Sequence, residues 1–462
     1  MSPEREGRYR LGLLGLGVMG SALARNLIRH EIPTALYSVS QKEREAHSLL
    51  EGPCVVCGTI GEFAGALERP RKIFLMILAG DPVDEMIQTL LPLLDPGDIL
   101  MDGGNSHYRD TERRCRLCRE KGIGYLGIGV SGGEKGALTG PSLMAGGDRY
   151  AWEQAGPLLT QIAAFHRGKP CCGYVAEGGA GHYVKMAHNG IEYAILELIA
   201  ETVCYLRGEA GLSPDQTGAV LERWNRGVLG SYLMEISARV IRKRDGDQAP
   251  LVDRILDVAG QKGTGRWSEE EAAARGVPTP SIYGALMARN FSGQKTLREE
   301  GAAAFPCTAQ KGPLLTEEEL EQALSLAVFL AYSQGFELIA RAGEEEGWRI
   351  NLRGLAGIWG DGCIIRGRIL DRISESGFTG EKPLLFEPAF SDLRSGEAAL
   401  RRLTSAAALA GDCFPAFGGA LFYYDGYRTG RMPVFFIQAL RDCFGAHTYR
   451  RTDREGSFHT EW

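Results

Sequence analysis

The sequence predicts a two-part fold: an α/β doubly wound N-terminal domain, then a large all-α domain and a C-terminal tail. Three observations carry that expectation. Short apolar runs alternate with helical patterns over the first 178 residues, which implies a parallel sheet covered by helices. Past Gly181 the strand-length runs stop and helix-period patterns take over. Beyond residue 437 the chain turns polar yet keeps Phe444, Tyr449, Phe458 and Trp462, which suits a docked tail better than a frayed one. The expected divisions are 1–178, 179–437 and 438–462.

Composition narrows the function classes. A net charge of −6 gives no basic field for nucleic acid or an anionic membrane. The best apolar run, residues 73–79, has strand length, so no membrane span is expected. The N-terminus lacks an apolar signal core, and the 11 cysteines read as reduced thiols, so a cytoplasmic protein is expected. Cys54/Cys57 and Cys115/Cys118 form two CxxC pairs, too far apart for a zinc ribbon, and read as incidental.

The first strand, residues 10–14, runs into Gly15-Leu16-Gly17-Val18-Met19-Gly20 and then a helical pattern over 22–28. Strand, G-x-G-x-x-G, helix is the order that a dinucleotide pyrophosphate needs, so the domain reads as Rossmann-type. Gly15 permits the turn, Gly17 lets backbone N–H groups near the phosphates, and Gly20 lets helix and strand pack. A second strand at 34–37 ends in Ser38-Val39-Ser40, without the acidic residue that grips a ribose hydroxyl; Lys42 and Arg44 favour NADP, with NAD as the alternative. Further strands are expected at 72–79, 98–102 and 125–130. Gly15, Ser38, Ala79, Asn105 and Ser131 then fall beyond the carboxyl ends of strands, where such sheets collect their ligands. Ser131-Gly132-Gly133 offers a hydroxyl and bare backbone donors, a candidate carboxylate nest or a simple glycine turn.

In the second part, helices are expected over 183–207, 214–225, 231–243, 251–259, 281–286, 317–336 and 398–409. On the first of these Lys185, His188, Asn189 and Glu192 stand at i, i+3, i+4 and i+7, one face of a helix. Lysine and glutamate lie about 10 Å apart along the axis, room for a small polar substrate between a base and an acid. A solvated stripe is the plainer alternative. The loop Gly260-Gln261-Lys262-Gly263-Thr264-Gly265 has an oxyanion-binding composition, and Arg289 could add a bidentate grip.

The stretches GLGVMG, DGGNSHYRDT, GVSGGEKGALTGPSLM, GGAGHYVKMAHNGIEY, AGQKGTGRW, GCIIR, YDGYR and RDCFGAHTY are long, ordered and regularly spaced. On these the chain resembles the 6-phosphogluconate dehydrogenase family, the decarboxylating enzymes of the oxidative pentose phosphate pathway, over nearly its whole length. The resemblance implies Lys185 as general base and Glu192 as general acid. It implies substrate contacts from Asn105, Ser131, Gly132, Gly133, His188, Asn189 and Tyr193, with the phosphate held by Tyr193, Lys262, Thr264 and Arg289. Arg441 and His447 would reach the neighbouring subunit's site, making a homodimer. Cofactor contacts would come from Gly15, Leu16, Gly17, Val18, Met19, Gly20, Ser38, Val39, Ser40, Ile77, Leu78, Ala79 and Asn105, with no metal. A free lysine has a pKa of about 10.4, so Lys185 needs burial and a nearby cation to serve as base. Two departures from the family pattern stand near the cofactor. Ser38-Val39-Ser40 replaces Asn-Arg-Thr, and Leu78 replaces a lysine, so two cations are gone.

Two rivals fit the residues less well, since this chain has every feature that they would lack or need not keep. A smaller β-hydroxyacid dehydrogenase would share the first domain and the helix lysine but lack the KGTG loop, the DGYR segment and the tail. A nicotinamide-binding regulator need not keep Lys185 and Glu192 at productive spacing.

Overall fold

The computed structural model describes residues 8–260, 263–310, 312 and 314–462. Strands β1 (Leu11–Leu14), β2 (Thr34–Tyr37), β3 (Cys54–Val56), β4 (Lys72–Leu75), β5 (Ile99–Asp102), β6 (Gly124–Ser131), β7 (Ser142–Gly147), β8 (Phe165–His166), β9 (Lys169–Pro170) and β10 (Cys172–Ala176) fill the first part. Between them run α1 (Val18–Arg29), α2 (Gln41–His47), α3 (Ile60–Gly65), α4 (Asp81–Leu90), α5 (Tyr108–Glu120), α6 (Gly133–Thr139) and α7 (Arg149–Ile162).

Apart from the β8–β9 hairpin, the strands form one sheet in the order β10-β7-β6-β5-β4-β1-β2-β3. The core of this sheet is parallel and doubly wound, as expected. One pair departs: β7 runs antiparallel to β6. Residues 132–141 connect them, fewer than the dozen or so that a parallel return requires. The fourth strand also stops at Leu75 instead of continuing to Ala79. Gly15 turns away with φ +100°, so the partner strand ends there and residues 77–80 have no ladder to join.

The second part is helical: α8 (Ala180–Gly208), α9 (Pro214–Asn225), α10 (Tyr232–Ile241), α11 (Thr264–Arg275), α12 (Pro280–Ser292), α13 (Lys295–Ala304), α14 (Glu317–Glu346), α15 (Leu352–Ile358), α16 (Arg368–Glu375), α17 (Ser391–Arg394), α18 (Glu397–Ala410), α19 (Pro415–Arg428) and α20 (Val434–Gly445). The helix expected over 251–259 is only a 3-10 turn, Leu251–Arg254. Ile255, Leu256 and Val258 are exposed, so its apolar pattern finds no surface among the described residues to cover.

A capping box, Thr316 with Glu319, starts α14 and satisfies two of its first N–H donors. This helix is 30 residues long and apolar enough to span a membrane by length and composition, which the sequence reading did not anticipate. Its apolar window is 89% buried, against α8 and α18 among others, so it serves as the core helix of the second part. Each fully buried side chain such as Phe329 or Leu330 contributes about 1.5–3 kcal/mol at most. The same core reaches the sheet through Tyr108, Met144 and Val175, joining the two parts.

The expected boundary at 437/438 falls inside α20. Beyond that helix the tail folds on Asp442, whose carboxylate accepts from Thr448 N, Thr460 N, Trp462 Nε1 and His459 Nδ1. Val434, Phe435, Phe436, Ile437, Leu440 and Phe444 remain exposed on α20, a contiguous apolar surface of the sort that marks a protein contact.

Candidate active site

The carboxyl ends of β5, β4, β1 and β2 lie side by side in the sheet, where a doubly wound fold opens its ligand crevice. A Cβ at Gly20 would lie 1.9 Å from the Gly15 carbonyl oxygen, so only glycine lets α1 begin this close to β1. No side chain among the described residues caps the start of α1, which leaves its first N–H groups to a ligand. Val18, Val39 and Leu78 rim the crevice and are 66%, 70% and 78% exposed. Apolar side chains left open around a free helix N-terminus fit the rings and pyrophosphate of a dinucleotide.

On the β5 side, Asp102 is fully buried and accepts from Ser106 Oγ at 2.6 Å and Gly104 N at 3.0 Å. The buried Arg114 guanidinium holds Asp102 at 3.2 Å and Asp84 at 3.0 Å. This clamp shapes the turn that exposes Asn105.

At the end of β2 the sequence offered no acidic residue, yet the fold supplies one. Ser38 Oγ donates to Glu43 Oε2 at 2.6 Å, and Ser40 N donates to Ser38 Oγ at 3.2 Å. Glu43 lies in the first turn of α2, and the signal that could have found it is the S-x-x-E spacing of Ser40 and Glu43. Arg44, read from the sequence as a phosphate ligand, is turned onto the Ser38 and Val39 carbonyls at 2.5 and 3.2 Å.

The second half of the site is built by α8 lying directly on strand backbone. A Cβ at Gly181 would sit 2.3 Å from Gly127 O, and one at Gly129 only 2.5 Å from Lys185 Cβ. Glycines on both surfaces permit this approach, and Lys185 is therefore buried at the sheet. The i, i+3, i+4, i+7 row is present as expected. Lys185 Nζ lies 3.4 Å from His188 Nδ1, and His188 Nε2 lies 3.2 Å from Ser131 Oγ. Asn189 Oδ1 and Glu192 Oε2 stand 3.3 and 3.9 Å from His188 Nδ1. His188 thus sits between the lysine and the glutamate and ties their helix face to the Ser131 turn. Gly132, with φ +113°, packs on Gly362 O, where a Cβ would come within 2.4 Å; around Gly133 the space is open.

Burial lowers the pKa of Lys185, while Glu192 and Cys363 act in the opposite direction. Desolvation is therefore the cause, and the neighbouring cation expected from the sequence does not contribute. Burial, helped by Lys185, holds His188 well below its ordinary value, hence neutral. Burial also raises Glu192, against the pull of Lys185 and Arg289. A row with a neutral amine at one end and a protonated carboxyl at the other is what such shifts favour.

At the outer end, the Arg289 guanidinium stacks 3.5 Å over the Tyr193 ring, and that ring packs where a Gly265 Cβ would lie at 2.5 Å. Thr264 opens α11, whose start no side chain among the described residues caps. Tyr193, Thr264 and Arg289 converge, while Lys262 lies outside the described residues. Arg441 bonds Gln438, and His447 packs on Phe444, so their contacts stay within the tail. The sequence reading overlooked Trp359, whose ring meets His188 edge-on at 5.3 Å. Asp425 and Arg428 of the DGYR segment join a surface ion-pair network with Arg401 and Glu397. Cys115 and Cys118 are buried on α5, where burial pushes the Cys118 thiol up to about 12. Among the described residues no cluster of three His, Cys, Asp or Glu side chains is placed to hold a metal ion.

Family models cover both halves of the chain. The NAD binding domain of 6-phosphogluconate dehydrogenase matches residues 10–176, and the C-terminal domain of the same enzyme matches residues 181–462. The chain belongs to the 6-phosphogluconate dehydrogenase family. Two Bacillus subtilis members of the family are similar throughout. The NAD(+)-dependent decarboxylating 6-phosphogluconate dehydrogenase is 46% identical, covering 98% of this chain and 99% of its own. The NADP(+)-dependent one is 44% identical, with coverage of 98% and 99%. The solved Plasmodium falciparum 6-phosphogluconate dehydrogenase, described with its cofactor NADP+ and its substrate 6-phosphogluconate, superposes with a TM-score of 0.93. It is 39% identical, over 98% of this chain and all of that one.

Proposed function

We propose that this protein oxidises and decarboxylates 6-phosphogluconate to ribulose 5-phosphate and carbon dioxide, reducing NADP or NAD. The observation that carries the reading is the buried Lys185–His188–Glu192 row, with the lysine pKa lowered and the carboxyl raised. Neutral Lys185 accepts the proton of the substrate's 3-hydroxyl. A dinucleotide held at the Gly15 loop would supply the hydride acceptor for carbon 3. The Lys185 ammonium then polarises the new ketone, so the electrons of the breaking bond to the carboxylate pass into an enediol as carbon dioxide leaves. Glu192 delivers its proton to the carbon that lost the carboxylate, and the ketone re-forms at the neighbouring carbon. His188 stays neutral and, with Asn105, Ser131, Gly132, Gly133 and Asn189, orients the sugar acid. Tyr193, Thr264, Arg289 and Lys262 hold the phosphate.

The reading includes a homodimer in which the tail carries Arg441 and His447 to the partner's site. The exposed apolar face of α20 supports it, since a surface of that composition is stable when covered.

The test is the purified protein with 6-phosphogluconate and either dinucleotide, scored for reduced nicotinamide and carbon dioxide in equal amounts. Lys185→Met should cut turnover by about 10³-fold or more and leave dinucleotide affinity unchanged. Reduction without gas would favour a simple β-hydroxyacid dehydrogenase; binding without either product would favour a regulator. Near-normal turnover in the variant would remove Lys185 as base.

A further inference from the structure

In a doubly wound sheet, the adenosine ribose of a bound dinucleotide meets the end of the second strand, beside the glycine loop. What stands at that point decides whether a 2′-hydroxyl or a 2′-phosphate is accepted. The carboxylate of Glu43 stands there, delivered by the first turn of α2 rather than by β2. Its Oε2 is held at 2.6 Å by the hydroxyl of buried Ser38, and that hydroxyl is itself fixed by Ser40 N at 3.2 Å. Its Oε1 faces the glycine loop, 3.9 Å from where a Cβ on Gly17 would be. The carboxylate therefore bridges the ends of β1 and β2, with one oxygen anchored and the other toward the crevice.

Among the described residues no compensating cation is paired with it. The Arg44 guanidinium is engaged by the Ser38 and Val39 carbonyls and lies over the Tyr37 ring at 5.7 Å. Val39 and Leu78 extend apolar side chains from the neighbouring positions.

From this juxtaposition we infer that Glu43 is a specificity-determining residue that makes the protein prefer NAD to NADP. An ionised carboxylate accepts hydrogen bonds from a ribose diol. Against a 2′-phosphate it offers only like-charge repulsion and no donor, so selection comes from rejection as much as from attraction. The inference rests on the dinucleotide-binding part of the proposed function and not on the sugar-acid chemistry.

The experiment is a set of dissociation constants for NADH and NADPH, read from nucleotide fluorescence with no substrate present. The protein should bind NADH about tenfold or more tighter than NADPH. In Glu43→Gln, NADH should weaken and NADPH tighten, so that the ratio falls toward one. A ratio below tenfold in the parent protein, or a ratio unchanged in a folded Glu43→Gln, overturns the assignment. Glu43 also lies in the first turn of α2, so a second measurement uses only the parent protein: adenosine 5′-monophosphate should displace NADH better than adenosine 2′,5′-bisphosphate. The reverse order overturns the assignment as surely. Dinucleotide binding with this preference but no turnover of 6-phosphogluconate would leave the inference standing and remove the proposed reaction.

Discussion

Gly129→Ala tests whether the site depends on the contact between α8 and β6. The added Cβ would lie 2.5 Å from Lys185 Cβ, 3.2 Å from Lys185 Cγ and 3.0 Å from Gly181 O. Carbon atoms rest about 3.5–4.0 Å apart, so α8 must retreat by roughly 1 Å. Ser131 lies two residues further along the same strand and would not follow. The 3.2 Å His188–Ser131 contact then opens, and Lys185 shifts relative to the Ser131-Gly132-Gly133 turn. A displacement of that size costs about 10²-fold in kcat/KM, or about 2.7 kcal/mol of transition-state stabilisation. Overpacking should cost a further 1–3 kcal/mol of stability, roughly, visible in Tm. Dinucleotide affinity should hold, because the Gly15 loop lies on another part of the sheet. Gly61→Ala is the control, since a Cβ there meets nothing within 4 Å. A folded Gly129→Ala protein with kcat/KM close to the parent's would refute the claim that this contact positions the lysine.

Three further outcomes are expected. The kcat/KM profile should rise with pH through the lowered pKa of Lys185, which must be neutral, and fall through the raised pKa of Glu192, which must be protonated. Glu192→Gln should erase the alkaline limb from whatever activity remains. Arg441→Ala should raise KM for the sugar acid while leaving Tm nearly unchanged, and unchanged kinetics would count against a tail donated across a dimer. Burial pushes Glu201 up to about 8, although its carboxylate accepts from Ala416 N and Phe417 N at 2.8 and 3.0 Å. A folded pKa above the unfolded value means stability that is full below about pH 4.5 and lost as pH climbs toward 8, at most about 5 kcal/mol. In chemical denaturation Glu201→Gln should flatten that slope, and an equal slope in both proteins would refute it.

Patterns within a few residues were legible in the chain. The G-x-G-x-x-G turn sits between a strand and a helix, and the Lys185 row shares one helix face, because both follow from backbone geometry over a turn or two. The start of α11 was not legible: its first residues, Thr264 and Gly265, read as part of a glycine loop, although the helix begins at that threonine. A glycine-rich composition and a helix N-terminus look alike when the packing partner, here Tyr193 against Gly265, is 72 residues away. The direction of β7 and the overrun of β4 were lost for a similar reason, since each depends on where neighbouring strands end.

The sequence by itself determined the dinucleotide-binding architecture, the residue types of the site and their order along α8, all set by local periodicity and side-chain chemistry. Only the tertiary structure decided that Lys185 is desolvated, that His188 joins it to Ser131, and that Glu43 reaches the end of β2. Those depend on segments distant in the chain coming within a few ångströms of each other. Electrostatics follows spatial distance and exclusion of water, neither of which a one-dimensional spacing contains.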